Sequence, residues 1–390
     1  MATSYSARSR AIEPFHVMAL LERAHQLQAE GHDVIHLEIG EPDFTTAAPI
    51  VAAGQAALAA GHTRYTAARG LPQLREAIAG FYERRYRLNV DPGRILITPG
   101  GSGALLLASS LLVDPGRHWL LADPGYPCNR HFLRLVEGAA QLVPVGPEGR
   151  YQLTAELVER HWERDSVGAL VASPANPTGT VLRRDELLAL SRAVKARDGH
   201  LVVDEIYHGL TYGMDATSAL EVDDDAFVLN SFSKYFGMTG WRLGWLVAPE
   251  AAIPELEKLA QNLYISAPSM AQHAALACFE PETLAILESR REEFAHRRDY
   301  LLPALRELGF GIAVVPEGAF YLYADISAFG GDAFDFCRHF LETEHVAFTP
   351  GVDFGRHLAG RHVRFAYTQS LPRLEQAVER IVRGLNSWAP

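Results

Sequence analysis

The residues best equipped for chemistry lie in Ser231-Phe232-Ser233-Lys234, followed shortly by Gly240-Trp241-Arg242-Leu243-Gly244. Phe227-Val228-Leu229-Asn230, just before them, is a brief apolar run bounded by polar and turn residues, which predicts a fully covered parallel strand. Lys234 then falls just past the carboxyl end of a strand, where open α/β sheets bind ligands. Two hydroxyls and an arginine lie within eight positions of it. An amine among anion-binding groups suits Schiff-base formation with a phosphorylated aldehyde cofactor. A lone lysine in such a place is ordinarily a solvated surface residue. The reading therefore rests on the company Lys234 keeps elsewhere in the chain.

Three further loops at strand ends collect unusual residues. Thr98-Pro99-Gly100-Gly101-Ser102-Gly103 joins an apolar strand to an Ala/Leu-rich helix. Its glycines let backbone N–H groups close on an anion at a helix N-terminus, although a plain tight turn has the same signature. No Lys-Ser/Thr pair completes a nucleotide-phosphate loop, and the third glycine of a dinucleotide fingerprint is missing. In Ser173-Pro174-Ala175-Asn176-Pro177-Thr178-Gly179, two prolines stiffen the backbone around Asn176 and fix the direction of its amide. Asp204-Glu205-Ile206-Tyr207 follows the apolar Leu201-Val202-Val203. A carboxylate there could bind Mg²⁺ beside a phosphate loop, or hold a protonated pyridine nitrogen and so improve the ring as an electron sink. Tyr207 can reach the same plane and donate to a phenolate oxygen. Ser231, Ser233 and Arg242 suit a phosphate dianion. Tyr126, in Asp123-Pro124-Gly125-Tyr126-Pro127, could stack on a flat ring or sit in the core.

The elements that must position these residues alternate. A helix is expected over 14–30, a strand at 34–37, helices at 49–60 and 72–87, a strand at 94–97 and a helix at 102–113. Strands at 118–122, 140–144 and 168–172 then interleave with helices at 127–137, 154–163 and 185–197, and strands follow at 200–203, 226–230 and 243–247. Such alternation predicts a mostly parallel central sheet sandwiched by helices. Beyond Pro249 the pattern becomes helical, with one long run over 281–308. Strands at 311–315, 319–324 and 362–366, with helices at 332–344 and 371–386, predict a smaller α+β domain.

Composition narrows the class. With 390 residues, 48% hydrophobic and 21% charged, about two lobes of a globular protein are expected. A formal net charge of -11 argues against a nucleic-acid partner. Cys128, Cys278 and Cys337 are too few and too scattered for a metal cage or a disulfide framework, so free thiols in the cytoplasm are expected and no metal site. Met1–Arg10 is polar, unlike a secretory signal. No run approaches the ~18 apolar residues of a membrane span.

In order and spacing these motifs resemble those of class I/II (fold type I) pyridoxal-phosphate aminotransferases, near the subgroup with bacterial aspartate aminotransferases. The resemblance also takes in Gly40-Glu41-Pro42-Asp43-Phe44, Arg64-Tyr65-Thr66 and Val363-Arg364-Phe365. It implies that Lys234 holds pyridoxal 5′-phosphate as a Schiff base and shuttles a proton. Asp204 would pair with the pyridinium nitrogen, while Asn176 and Tyr207 hydrogen-bond the ring's 3-oxygen and Tyr126 stacks on it. Gly101, Ser102, Gly103, Ser231, Ser233 and Arg242 would hold the phosphate, with Tyr65 reaching in from a second subunit of a homodimer. Arg364 would clamp the substrate α-carboxylate, helped by Gly40 and Asn176. Residues 1–44 would be an N-terminal arm and the first part of the small domain, 45–290 the large cofactor-binding domain, and 291–390 the C-terminal small domain that closes over substrate.

The implied reaction is a ping-pong exchange between an L-amino acid and a 2-oxo acid, 2-oxoglutarate by family analogy. One departure bears on the substrate. Aspartate-using relatives carry a lysine in the glycine loop, where this chain has Ser102, so a neutral or aromatic donor is as consistent as aspartate. Arg69 and Arg130 are alternative contacts for a second carboxylate. A β-eliminating C–S lyase on the same scaffold would need the same electron-sink residues. A regulatory module embedding this fold would carry a helix-turn-helix, and none is read before Pro14.

Overall fold

The apolar runs of the first two-thirds of the chain join in one sheet because their alternate side chains find two separate cores. Leu96, Leu121, Leu170, Val202, Leu229 and Leu246 pack on one face with Ala104, Leu107 and Leu256. Their neighbours Ile95, Ile97, Leu120, Val171, Val203, Val228 and Trp245 pack on the other with Leu74, Ile78, Leu187 and Leu190. A strand flanked by apolar residues on both sides must be covered by helices on both. The first face receives the helices Gly100–Leu112 and Ile253–Leu263; the second receives Pro72–Tyr86 and Arg184–Lys195.

The computed structural model describes residues 5–14 and 16–389. Phe15, within the helix expected over 14–30, lies outside the described residues, as do 1–4 of the expected arm. In chain order the strands are β1 (Ile35–His36), β2 (Ile95–Thr98), β3 (His118–Asp123), β4 (Ala139–Pro144), β5 (Ser166–Ala172), β6 (His200–Asp204), β7 (Phe227–Ser231), β8 (Gly244–Val247), β9 (Tyr321–Asp325), β10 (Val346–Ala347), β11 (Thr349–Pro350) and β12 (His362–Ala366). The seven-stranded central sheet runs β2-β8-β7-β6-β5-β3-β4. Only β8 runs antiparallel to its neighbours, so the sheet is mostly parallel, the α/β arrangement that the alternation of elements predicts.

A second, antiparallel sheet of order β11-β12-β9 lies toward the chain's end. β1 pairs in parallel with β10, Ile35 beside Val346, and so joins the beginning of the chain to its last part. The helix His16–Ala29 packs against this region through Leu20, Ala24 and Leu27.

One expected strand does not form. In 311–315 only Gly311 bridges to Asp325. The carbonyl of Ile312, which a ladder would use, instead accepts from Arg306 Nε and Nη2 at 3.0 and 2.6 Å. Pro316 comes next, and the residue before a proline is kept from continuing freely. The glycine-loop helix starts at Gly100 rather than 102, bringing all three loop glycines into its first turn. No helix among the described residues is long and apolar enough to cross a membrane.

Candidate active site

Parallel strands present their carboxyl ends on one edge of a sheet, and the residues just beyond each strand are those a ligand meets there. Asp204 is the last residue of β6, Asn176 lies four residues beyond β5, and Lys234 three beyond β7. Successive residues leaving β6 divide their tasks. The Asp204 carboxylate faces the edge and accepts from the Ile206 backbone N–H at 3.1 Å. Glu205 turns into the core, where Ser218 Oγ donates to it at 3.1 Å and the Ala219 N–H at 2.7 Å. Tyr207 turns back, its hydroxyl 2.7 Å from that of Tyr321.

These groups converge on a cavity of about 300 Å³ lined by Gly40, Tyr126, Asn176, Asp204, Tyr207, Lys234 and Arg364. The Lys234 amine donates to the Gly40 carbonyl at 2.6 Å and lies over the ring of Tyr207, 5.7 Å from its centre. Gly40 has to be glycine here, because a Cβ would come within 2.6 Å of the Tyr321 hydroxyl. Burial pushes the Lys234 amine down to about 8; Arg364 and Arg242 push the same way, against Glu41 and Asp204. Burial lifts the Asp204 carboxyl to about 6, opposed by the Ile206 N–H and Lys234. An amine that can lose its proton near neutrality can act as nucleophile and base.

Beside the cavity is an anion cradle. The helix Gly100–Leu112 begins without any side-chain cap, which leaves its first N–H groups free for an anion. It approaches the sheet closely: a Cβ on Gly244 would meet the backbone of Gly100 and Gly101 at 2.7 and 2.8 Å. Arg242, in a left-handed conformation at φ 54°, lays its guanidinium against Gly100, where an added Cβ would be 2.8 Å from Nη2. Ser231 Oγ accepts from the Ser233 N–H at 3.0 Å. A Cβ on Gly101 would touch both Ser231 and Ile206, the latter a cavity residue, so cradle and cavity adjoin.

Across the cavity Arg364, on β12, is 5% exposed and lacks any carboxylate partner among the described residues. Its Nη1 donates to Asn176 Oδ1 at 2.9 Å and its Nη2 to the Glu38 carbonyl at 2.7 Å, while Nε is buried and unpartnered. A buried guanidinium with unused donors is a receptor for an anion. The rings of Tyr321 and Phe354 sandwich it at 4.2 and 4.8 Å. Above lies the helix His16–Ala29, contributing Val17, Met18 and Leu21. Its first N–H groups, His16 and Val17, donate to the two oxygens of Asp353 at 2.7 and 2.8 Å.

The structure thus brings most of the expected residues together and sets some apart. Tyr126 is mostly buried at the cavity wall, its hydroxyl accepting from Cys128 Sγ at 3.2 Å. Ser102 is exposed in the cradle's first turn, and Tyr65 is 78% exposed, away from this chain's own cavity. Arg69 donates to the Gly93 carbonyl, and Arg130 faces Glu13 across 3.6 Å; neither lines the cavity. Sequence reasoning missed Tyr321, Glu38, Thr349, Asp353 and the helix residues Val17, Met18 and Leu21. Only Glu38 carried a signal, as a carboxylate two residues before Gly40 in an apolar stretch.

The donor set fits an aromatic aldehyde phosphate: a low-pKa amine, the partly buried Asp204 carboxylate for a ring nitrogen, and an uncapped helix with Arg242 for a dianion. Comparison with known proteins agrees. Residues 32–381 match the model of the family aminotransferase class I and II. The valine–pyruvate aminotransferase of Mycobacterium tuberculosis is 39% identical over 381 residues, 97% of each chain. The aspartate aminotransferase of Thermotoga maritima is 34% identical, covering 95% of this chain and 96% of its own. Among solved structures, an aminotransferase from Mycobacterium tuberculosis superposes with a TM-score of 0.95 at 39% identity, over 99% of this chain and 100% of its own. The Thermus thermophilus aspartate aminotransferase with maleate gives 0.92 at 34%, over 98% and 100%.

Proposed function

This chain belongs to the aminotransferase class I and II family, and we propose that it carries an amino group from a neutral, apolar L-amino acid to a 2-oxo acid by a ping-pong exchange. Members of the family depend on pyridoxal 5′-phosphate, which when bound supplies an aldehyde for the amino group and a ring that accepts electrons. One observation carries the reading. Two cations, the partly buried Lys234 and the buried Arg364, face one cavity, and neither is bonded to a carboxylate among the described residues.

Each residue then has a task. Lys234 would hold the cofactor through Nζ, and the same amine, with a pKa depressed towards neutrality, could take a proton from the substrate α-carbon. Asp204 would hold the ring nitrogen, and the Tyr207 hydroxyl and Asn176 would bond the ring's 3-oxygen. Tyr126 would pack on the ring. The Gly101-Ser102-Gly103 turn, Ser231, Ser233 and Arg242 would hold the phosphate. Arg364 orients the substrate by its α-carboxylate, with Asn176 and the Gly40 backbone beside it.

The substrate side chain is left with Val17, Met18, Leu21 and Phe354, which supports an apolar donor. For the 2-oxoglutarate expected by analogy, no described residue of this copy adds a further cation to the cavity lining, so a second copy would have to supply the partner of its distal carboxylate. We also place the division at residues 44–45 and 290–291, with 1–44 and 291–390 closing on 45–290 to exclude water. Exposed Tyr65 completes the phosphate site of a second copy in a cytoplasmic homodimer. The test is spectroscopic. An apolar amino acid alone should bleach the visible band of the pyridoxal-phosphate-loaded protein as one amino group is taken up per site. A 2-oxo acid should restore the band. Ammonia released without an acceptor would instead make the protein a lyase and overturn the proposal.

A further inference from the structure

We propose that Tyr321 is a positioning residue for the exchange: its hydroxyl aims that of Tyr207 at the cofactor, and its aromatic ring seats the Arg364 guanidinium. The inference rests on the exchange reading, which gives Tyr207 to the cofactor and Arg364 to the substrate. Tyr321 opens β9, the strand paired with β12, whereas Tyr207 follows β6 of the central sheet. Both line the cavity beside Lys234. Their hydroxyls are 2.7 Å apart, and among the described residues neither has another hydrogen-bond partner. The two rings meet edge to face, 5.8 Å between centres. Gly40 packs against the Tyr321 hydroxyl, and its carbonyl accepts from Lys234 Nζ.

Counting protons gives the pair of hydroxyls a direction. Burial holds both phenols above their ordinary pKa, so each keeps its proton. A phenol has one proton to donate. Once Tyr207 gives its own to the 3-oxygen, its oxygen is left to accept, and Tyr321 is the donor within reach. A donor that itself accepts a hydrogen bond is polarised and donates more strongly. Charge drawn from the 3-oxygen weakens its attraction for the proton on the Lys234 nitrogen that tethers the cofactor, so that proton leaves at lower pH. The same side chain serves the substrate through its ring. The buried Arg364 guanidinium lies 4.2 Å from the centre of the Tyr321 ring, a placement that a desolvated cation favours. The other charged groups facing Lys234 are Asp204, Glu41, Arg364 and Arg242, and the Tyr126 phenol faces both tyrosines; none is altered in the test.

The test titrates with pH the visible band of the pyridoxal-phosphate-loaded protein, in wild type, Tyr207→Phe, Tyr321→Phe and the double variant. Tyr321→Phe removes one oxygen and keeps the ring; it should raise the midpoint by about half a pH unit, and Tyr207→Phe should raise it further. The double variant should match Tyr207→Phe alone, because Tyr321 acts through Tyr207. Butyrate binding, followed by calorimetry on the loaded proteins, reads the other role. It should stay within about twofold of wild type in Tyr321→Phe and weaken about tenfold in Tyr321→Leu, or in Tyr321→Met should the leucine substitution prevent folding. A midpoint unmoved by Tyr321→Phe while Tyr207→Phe shifts it, or single shifts that add in full, overturns the role of the hydroxyl. Butyrate binding that is equal in Tyr321→Phe and Tyr321→Leu overturns that of the ring. A midpoint unmoved by Tyr207→Phe would instead sink the assignment of Tyr207, and the hydroxyl's role with it, while the butyrate comparison still decides the ring's.

Discussion

The floor and the roof of the cavity are built on different principles. The floor is made of strand ends: Asp204 closes β6, Ser231 closes β7, Asn176 and Lys234 come within a few residues, and Gly100–Leu112 begins at the end of β2. Each is placed by a covered strand, and its position varies little as long as the sheet holds. The roof is gathered from distant parts of the chain. Arg364 comes from β12, Glu38 from the segment after β1, and the helix His16–Ala29 is held at its first turn by Asp353, more than 330 residues away. The floor carries the groups assigned to the cofactor, and the roof those assigned to the substrate. Chemistry common to a family can rest on a rigid part while selectivity rests on a separately assembled one.

Breaking the floor should have the largest effect. Lys234→Ala should cut turnover by about four orders of magnitude, as expected for loss of a positioned base, while the loaded protein keeps its cofactor non-covalently. Borohydride reduction should then fix no pyridoxyl group at position 234. The same variant tests the depressed pKa without cofactor. The folded-state value of about 8 lies below the ordinary 10.5, so between these pH values the unfolded chain binds the extra proton and stability rises with pH. Denaturant titrations should show that rise, no more than about 3 kcal/mol, in the parent and not in Lys234→Ala.

Arg364→Leu tests the roof where it meets every substrate. It should lower kcat/KM by roughly 10²- to 10³-fold for all amino acids alike, the worth of two charge-assisted hydrogen bonds. A loss confined to one donor would move Arg364 from the shared α-carboxylate to a side-chain contact. Asp353→Ala, the smallest of the three, should cost about 1–2 kcal/mol of stability as a lost helix cap and speed amide exchange at His16 and Val17. Through a less well seated Val17 and Met18 it should also lower kcat/KM by roughly tenfold, with more of the change in KM than in kcat. Unchanged exchange at those two amides would mean that the first turn is held by something else.

The two regions also differ in how far the sequence reveals them. Asn176 between prolines, Asp204 after Leu201-Val202-Val203 and Lys234 after Phe227–Asn230 announce themselves, because the strand that positions each residue is its immediate neighbour. Arg364 was legible only through its family motif, since nothing in Val363-Arg364-Phe365 shows that Asn176 and Glu38 lie beside it. Asp353 had no local signal at all; its partners are backbone N–H groups at the other end of the chain. The strand expected at 311–315 failed for a related reason. Its apolar pattern was adequate, but Arg306, close by on the helix Pro281–Glu307, claims the carbonyl a ladder would need.

The pairing of β1 with β10 has a consequence for the protein's birth. Ile35 and Leu37 donate to the carbonyls of His345 and Ala347, each at 2.8 Å. A ribosome makes the amino end first, so Ile35 must wait through some three hundred further residues before its neighbour exists. The central sheet can form earlier from contiguous segments, in keeping with the ease of local over distant contacts. A nascent chain halted before Val346 would therefore lack Arg364 and the Asp353 that seats the helix His16–Ala29, while the strand ends of the floor are already made.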